Sequence, residues 1–175
     1  MTRTTFIIFA CNVILWLCVA QLNHYLATLH FSVFAGGLLV AFPALRLRFR
    51  EGWWASLLIG LLIDASAPVA FGFHGLLFVV MHVFIFNLRG RFPLEETTFG
   101  VITALLANLA LFIVITASLL HRSPEPFAML PRLFIDLLAS QTLVFLVAPW
   151  FFALQENTLE RFGVSLRREQ RGLLS

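Results

Sequence analysis

The chain has 175 residues, 60% of them hydrophobic and 12% charged, against about 25% charged in an ordinary soluble domain. That composition excludes a water-soluble globule, and apolar runs close to the ~20 residues that cross a bilayer recur along most of the length, so the whole chain reads as one helical membrane domain. Its net charge of +3 is carried by arginine, with 12 Arg and no Lys, which speaks to orientation and anionic headgroups rather than to nucleic acid.

Six spans are expected, over residues 4–21, 31–47, 53–67, 72–88, 99–120 and 133–154. The first carries Cys11 and Cys18, seven residues or about 10 Å apart along a helix, too far to bridge, and is read as an uncleaved first helix although Cys18-Val19-Ala20 faintly resembles a signal-peptide cleavage site. Pro43 lies near the end of the second, where neighbouring helices can satisfy the carbonyl it frees. Gly36-Gly37 in that span is a close-packing feature, since no strand precedes it as a dinucleotide fingerprint requires. The third span stops before Pro68 and the fourth opens at Gly72. The connections at 22–30, 68–71 and 121–132, the last a proline-rich elbow "HRSPEPFAMLPR", offer too little chain for a catalytic domain. Residues 155–175 form a basic tail in which Leu159, Phe162 and Leu166 recur at helical spacing, suited either to an amphipathic helix on the membrane surface or to a solvated tail.

Arginine placement orients these spans. With the N-terminus cytoplasmic, Arg3, then Arg46, Arg48 and Arg50, then Arg89 and Arg91, then Arg161, Arg167, Arg168 and Arg171 fall inside, leaving Arg122 and Arg132 outside. The bias predicts cytoplasmic termini on both ends and an even number of spans. Trp53, Trp54 and Trp150 then fall at the cytoplasmic interface as anchors.

Within "GLLIDASAPVAFGFHG", residues 60–75, Asp64 is placed mid-span, where a carboxylate costs about 2.5–3.5 kcal/mol to insert. Relief inside the bundle is expected. Gly60, one turn earlier on the same face, lets a neighbouring helix approach, so the pair marks a buried seam. His74 is the preferred partner of Asp64, ahead of Arg122, Arg132, Asn108 and Gln141, because Arg132 has Asp136 one turn away on its own helix. A packing lock and a ligand-binding or proton-coupled role are both open to such a carboxylate.

No catalytic, cofactor or metal site is expected. His74 and His82 stand about 12 Å apart along one span, too far to share a zinc ion. His24 and His30 belong to a loop. Serine-nucleophile, phosphate-loop and metalloprotease motifs are absent, and Asp64 and Asp136 lack the signature of an intramembrane aspartyl protease.

The stretch "GLLIDASAPVAFGFHGLL", with Gly60, Leu61, Leu62, Asp64, Pro68, Gly72 and His74, resembles the central signature of the MreD family of bacterial rod-shape-determining membrane proteins. The basic segment Arg46–Arg50, Gln21 at the end of the first span and the short basic tail fit the same pattern; the Pro-Asp or Pro-Asn pair that commonly opens the second span is missing from "LHFSVFAGGLL". The resemblance implies a six-helix bundle similar to the substrate-binding components of energy-coupling vitamin transporters. It also implies a non-enzymatic role in the inner membrane: association with MreC, an indirect link to the MreB filament, and regulation of the peptidoglycan polymerase and its penicillin-binding partner. Gly60, Asp64, Pro68, Gly72 and His74 would then be structural or partner-facing, and Arg46, Arg48, Arg50, Arg167, Arg168 and Arg171 would meet the membrane surface. An alternative is a vitamin-binding transport component, with Asp64, His74 and Asn108 lining a pocket closed by Asn23, His24 and Tyr25, and with Arg46–Arg50 and Arg89–Arg91 facing a coupling module. A third, a lipid-pathway enzyme, would need an acid and a base brought together near an interface.

Overall fold

The computed structural model describes residues 2–91, 97–122, 124 and 126–164. Among the described residues are six α-helices: α1 (Arg3–Leu26), α2 (Gly36–Arg46), α3 (Phe49–Ser66), α4 (Phe73–Leu88), α5 (Thr97–Arg122) and α6 (Pro126–Arg161), with single 3-10 turns at Ala27–Leu29 and Arg89–Arg91. No strand occurs among the described residues. The helix starts have local causes. Thr2 caps α1 by accepting from the Thr5 amide at 3.3 Å, Glu51 stands in the first turn of α3 where the helix dipole favours an acid, and Pro126 opens α6 at a position where a missing N–H is harmless.

Three helices, α1, α5 and α6, are long and apolar enough to cross a membrane, whereas α2 and α4 are apolar but shorter. The 11 residues of α2 rise only about 16 Å. This short helix is nevertheless the centre of the bundle, with every residue from Gly36 to Leu45 buried. One of its faces joins Leu38 and Phe42 to Ile8, Val144, Ala148 and Leu159; another joins Leu39 and Val40 to Ile59, Phe78, Ile85 and Leu111. Close approach to α5 depends on Gly37, where a Cβ would collide with the Ala104 carbonyl and the Asn108 backbone. The outer faces are apolar as well, with Ile14, Leu17, Leu76, Val80, Phe84, Leu106 and Phe145 exposed, a surface compatible with a lipid surround.

Successive helices run in alternating directions, which is visible in their contacts. Ile7 and Ile8 at the start of α1, Leu47 after α2, Ala55 early in α3, Val101 early in α5 and Phe151, Phe152 and Leu159 late in α6 share one cluster. Arg89, at the end of α4, reaches the Leu47 carbonyl. Arg3, Arg46, Arg48, Arg50, Arg89 and Arg161 therefore collect at one end of the bundle. The opposite end holds Asn23, Ser32, Asp64, His74 and Asp136.

Several boundaries differ from the expected ones. The second span is helical only from Gly36, because residues 31–35 have no regular structure and the amides of Ser32, Val33 and Phe34 bond to side chains of other helices. The loop expected at 22–30 is largely helix, as α1 continues to Leu26. The elbow at 121–132 is much shorter, since α6 starts at Pro126, seven residues early, and accommodates Pro131 and Pro149 within it. At its other end α6 runs unbroken to Arg161, with Gln155 and Leu159 fully buried; the helix passes the expected domain boundary at 154 because these side chains belong to the core. Phe162 is exposed. Leu166, Arg167, Arg168 and Arg171 lie outside the described residues.

Candidate functional site

Asp64 is in the last turn of α3, not mid-span, and its carboxylate closes the start of α4. Oδ2 accepts from the backbone amides of Gly72 at 3.0 Å and Gly75 at 3.1 Å, and Oδ1 accepts from the His74 amide at 3.0 Å. The His74 ring completes the set, Nδ1 standing 2.7 Å from Oδ1. The first amides of any helix lack intrahelical acceptors and carry the positive end of its dipole, so a carboxylate is the best cap for them. Here the cap comes from a different helix, across the turn. Gly72 makes that turn by adopting φ +95°, a conformation open to glycine at little cost. Gly60 brings the two backbones together: a Cβ there would fall 2.6 Å from Gly75 Cα. Pro68 is exposed and makes no part of this arrangement beyond ending α3.

The network assigns the histidine tautomer. A carboxylate accepting three amides offers only acceptors to the ring, so Nδ1 carries a proton, and in the neutral imidazole Nε2 holds the lone pair. No hydrogen bond engages Nε2 among the described residues. Asn108, Gln141 and Arg132 are not partners of Asp64. Asn108 Oδ1 accepts from the Gly37 amide at 3.1 Å, Gln141 Nε2 donates to the Leu105 carbonyl at 3.4 Å, and Arg132 stands beside Asp136. The side chain of Arg122 lies outside the described residues.

A second polar assembly holds the irregular segment before α2, residues 31–35. Asn23 of α1 clasps Val33 with both halves of its amide, Nδ2 donating to the carbonyl at 2.8 Å and Oδ1 accepting from the amide at 2.7 Å. Asp136 of α6 accepts from the Ser32 amide at 2.8 Å and its hydroxyl at 3.3 Å. Ser140 accepts from the Phe34 amide at 2.9 Å. Two helices, α1 and α6, thus bond the amides of Ser32, Val33 and Phe34 and the Val33 carbonyl, the kind of partner an irregular segment inside a bundle requires. The expected Arg132–Asp136 pair is the lesser contact, at 4.0 Å with Arg132 58% exposed, because Ser32 already occupies the carboxylate. Sequence reasoning missed Ser32 and Ser140 and the roles of Asn23 and Asp136; amides and acids inside apolar runs are the signal that could have marked them.

At the arginine-rich end, Arg89 donates to the Leu47 carbonyl at 2.8 Å, with its guanidinium 3.7 Å from the centre of the Phe86 ring, and so caps the carbonyls that end α2. Arg46 pairs with Glu156 at 3.3 Å. Arg48 and Arg50 are exposed. His82 is buried between the rings of Phe49 and Phe86, at 5.7 and 6.0 Å, away from His74. Among the described residues no group of three His, Cys, Asp or Glu is placed to hold a metal ion. Cys11 is buried and Cys18 exposed, both free thiols.

A cavity of about 500 Å³ lies at the Asp64 end, between α1, the segment before α2, the end of α3 and the start of α4, lined by Leu15, Trp16, Val19, Asn23, Phe34, Leu39, Ile63, Ser66 and His74 among others. Of the residues expected to form a ligand pocket, it includes Asn23 and His74; Asn108 is spent on Gly37 in the core, and His24 and Tyr25 are exposed outside it. Comparison of the chain with protein-family models, with curated proteins and with solved structures finds no match to any of them.

Proposed function

We propose that this chain is a rod-shape-determining membrane protein of the MreD family, a non-enzymatic scaffold of the bacterial cell-elongation machinery. In this reading it sits in the inner membrane with six spans and both termini cytoplasmic, in a bundle resembling the substrate-binding components of energy-coupling vitamin transporters. It binds MreC laterally and supports, through it, MreB-directed wall synthesis by the peptidoglycan polymerase and its penicillin-binding partner. Membrane lipid is its other partner, and it uses no cofactor and no nucleic acid.

The observation that carries the reading is the condition of Asp64. Within the stretch that resembles the family signature, the carboxylate is saturated by Gly72, His74 and Gly75, so its chemistry is spent on joining α3 to α4. A carboxylate so engaged is a poor general base, and a rigid seam is what a scaffold needs. The gathering of arginines at one end of the bundle supports cytoplasmic termini. The exposed apolar faces of α1, α4 and α6 offer surface for lateral helix contacts.

The test is a mild-detergent pull-down of the tagged protein from its native membrane, with mass spectrometry of proteins and small molecules. Recovery of MreC with wall-synthesis proteins is expected, together with reduced recovery for Asp64→Asn. A vitamin-like molecule with an ATPase module, or unchanged expression and association for Asp64→Asn, would count against the scaffold reading.

A further inference from the structure

We propose that the cavity beside His74 is a binding site for one amphipathic molecule, a hydrocarbon body with a single hydroxyl or amine that donates to His74 Nε2. The inference does not depend on the scaffold reading. Its volume, about 500 Å³, falls within the ~300–1,000 Å³ of small-molecule sites. Leu15, Val19, Phe34, Leu39 and Ile63 supply apolar walls, which leave a highly polar or multiply charged molecule without partners.

Most polar side chains at the rim are already used. Asn23 is committed through both its oxygen and its nitrogen to Val33, and the Ser66 hydroxyl donates to the Ile63 carbonyl at 2.8 Å. His74 differs. Its Nδ1 is fixed on Asp64, the residue lines the cavity, and in the neutral ring Nε2 is an acceptor that no donor engages among the described residues. A carboxylate behind an imidazole both orients the ring and strengthens the free nitrogen as an acceptor. The same negative charge disfavours a phosphate or carboxylate headgroup, so the matching group is a neutral or cationic donor.

The experiment uses the full chain in phosphatidylethanolamine–phosphatidylglycerol vesicles and a photoactivatable sixteen-carbon alcohol, compared with its methyl ether, which lacks the donor. The alcohol should label peptides of the α1 and α3 cavity walls about tenfold more than the ether. Val19→Trp, which places an indole in the cavity from α1, should abolish that labelling. His74→Asn, which keeps an amide donor near the place of Nδ1 and removes Nε2, should level alcohol and ether. A six-carbon alcohol probe supplied from water separates the sources: stronger labelling by the long chain assigns a membrane lipid, stronger labelling by the short one a dissolved amphiphile. Equal labelling by alcohol and ether in the wild type, or labelling spread over all lipid-facing helices and insensitive to Val19→Trp, would overturn the proposal.

Discussion

The side-chain amide of Asn12 donates to the carbonyl of Leu39 at 3.0 Å, and Leu39 is the residue four before Pro43, whose ring removes the helical N–H that this carbonyl would otherwise accept. Gln155 of α6 extends the chain, its Nε2 donating to Asn12 Oδ1 at 2.9 Å. Asn12 and Gln155 are fully buried. A break in the hydrogen bonding of the central helix is thereby repaired by α1, and α1 is in turn held by α6.

This relationship makes Asn12 and Pro43 energetically coupled. Asn12→Leu should destabilise the protein by about 1–2 kcal/mol, since it strands the Leu39 carbonyl and the Gln155 amide. In a Pro43→Ala background, where the helix supplies its own N–H to Leu39, the same substitution should cost less, with a coupling on the order of 1 kcal/mol in a double-mutant cycle. Denaturation in mixed micelles measures it. Additive effects would show that the amide is not serving the carbonyl freed by proline.

Asp64→Ala should cost about 3 kcal/mol, because it leaves the amides of Gly72, His74 and Gly75 without their acceptor in a buried setting. Asp64→Asn keeps one acceptor oxygen and should retain roughly half of that stability. Hydrogen exchange at the first turn of α4 is the sharper readout, with protection falling at those three amides before the rest of the helix. Uniform loss of protection across all six helices would contradict a local capping role.

The two glycines of the seam should respond differently. At Gly60 a Cβ meets the Gly75 backbone, and backbone cannot swing aside, so Gly60→Ala should force α3 and α4 apart at a cost of about 2 kcal/mol or more. At Gly72 nothing lies within 4 Å of an added Cβ; only the positive φ opposes it, and Gly72→Ala should cost about 1 kcal/mol. Thermal unfolding of both variants in one detergent decides between them, and an equal loss would mean that close approach is not what Gly60 provides.

For Asp136 the decisive partner is Ser32. Arg132→Met removes a largely exposed contact and should change stability by less than about 0.5 kcal/mol. Asp136→Ala should cost about 1–3 kcal/mol and loosen the segment before α2. Cysteine accessibility at position 34 reports on that segment; increased labelling in Arg132→Met rather than in Asp136→Ala would reverse the assignment.

From the sequence by itself one can determine the all-helical class with apolar helices, the approximate positions of six helices, the end at which the arginines gather and the seam containing Gly60 and Asp64. These rest on local properties: apolar run length, helix breakers, charge bias and the expense of a carboxylate among leucines. His74 could be named as the partner of Asp64 because ten residues and one turn separate them. Tertiary structure alone decided that Asp64 caps a helix, that residues 31–35 are irregular, that Asp136 serves Ser32 over Arg132, and that Asn12 completes the helix broken by Pro43. Except for the Asp64 cap, which spans only eight to eleven residues, these join groups far apart in the chain, Ser32 to Asp136 across 104 residues and Gln155 to Asn12 across 143. The physical reason is that a backbone group left open by proline or by an irregular segment states only that an acceptor or donor is required, and many polar side chains could meet it; which one does is settled when the helices assemble.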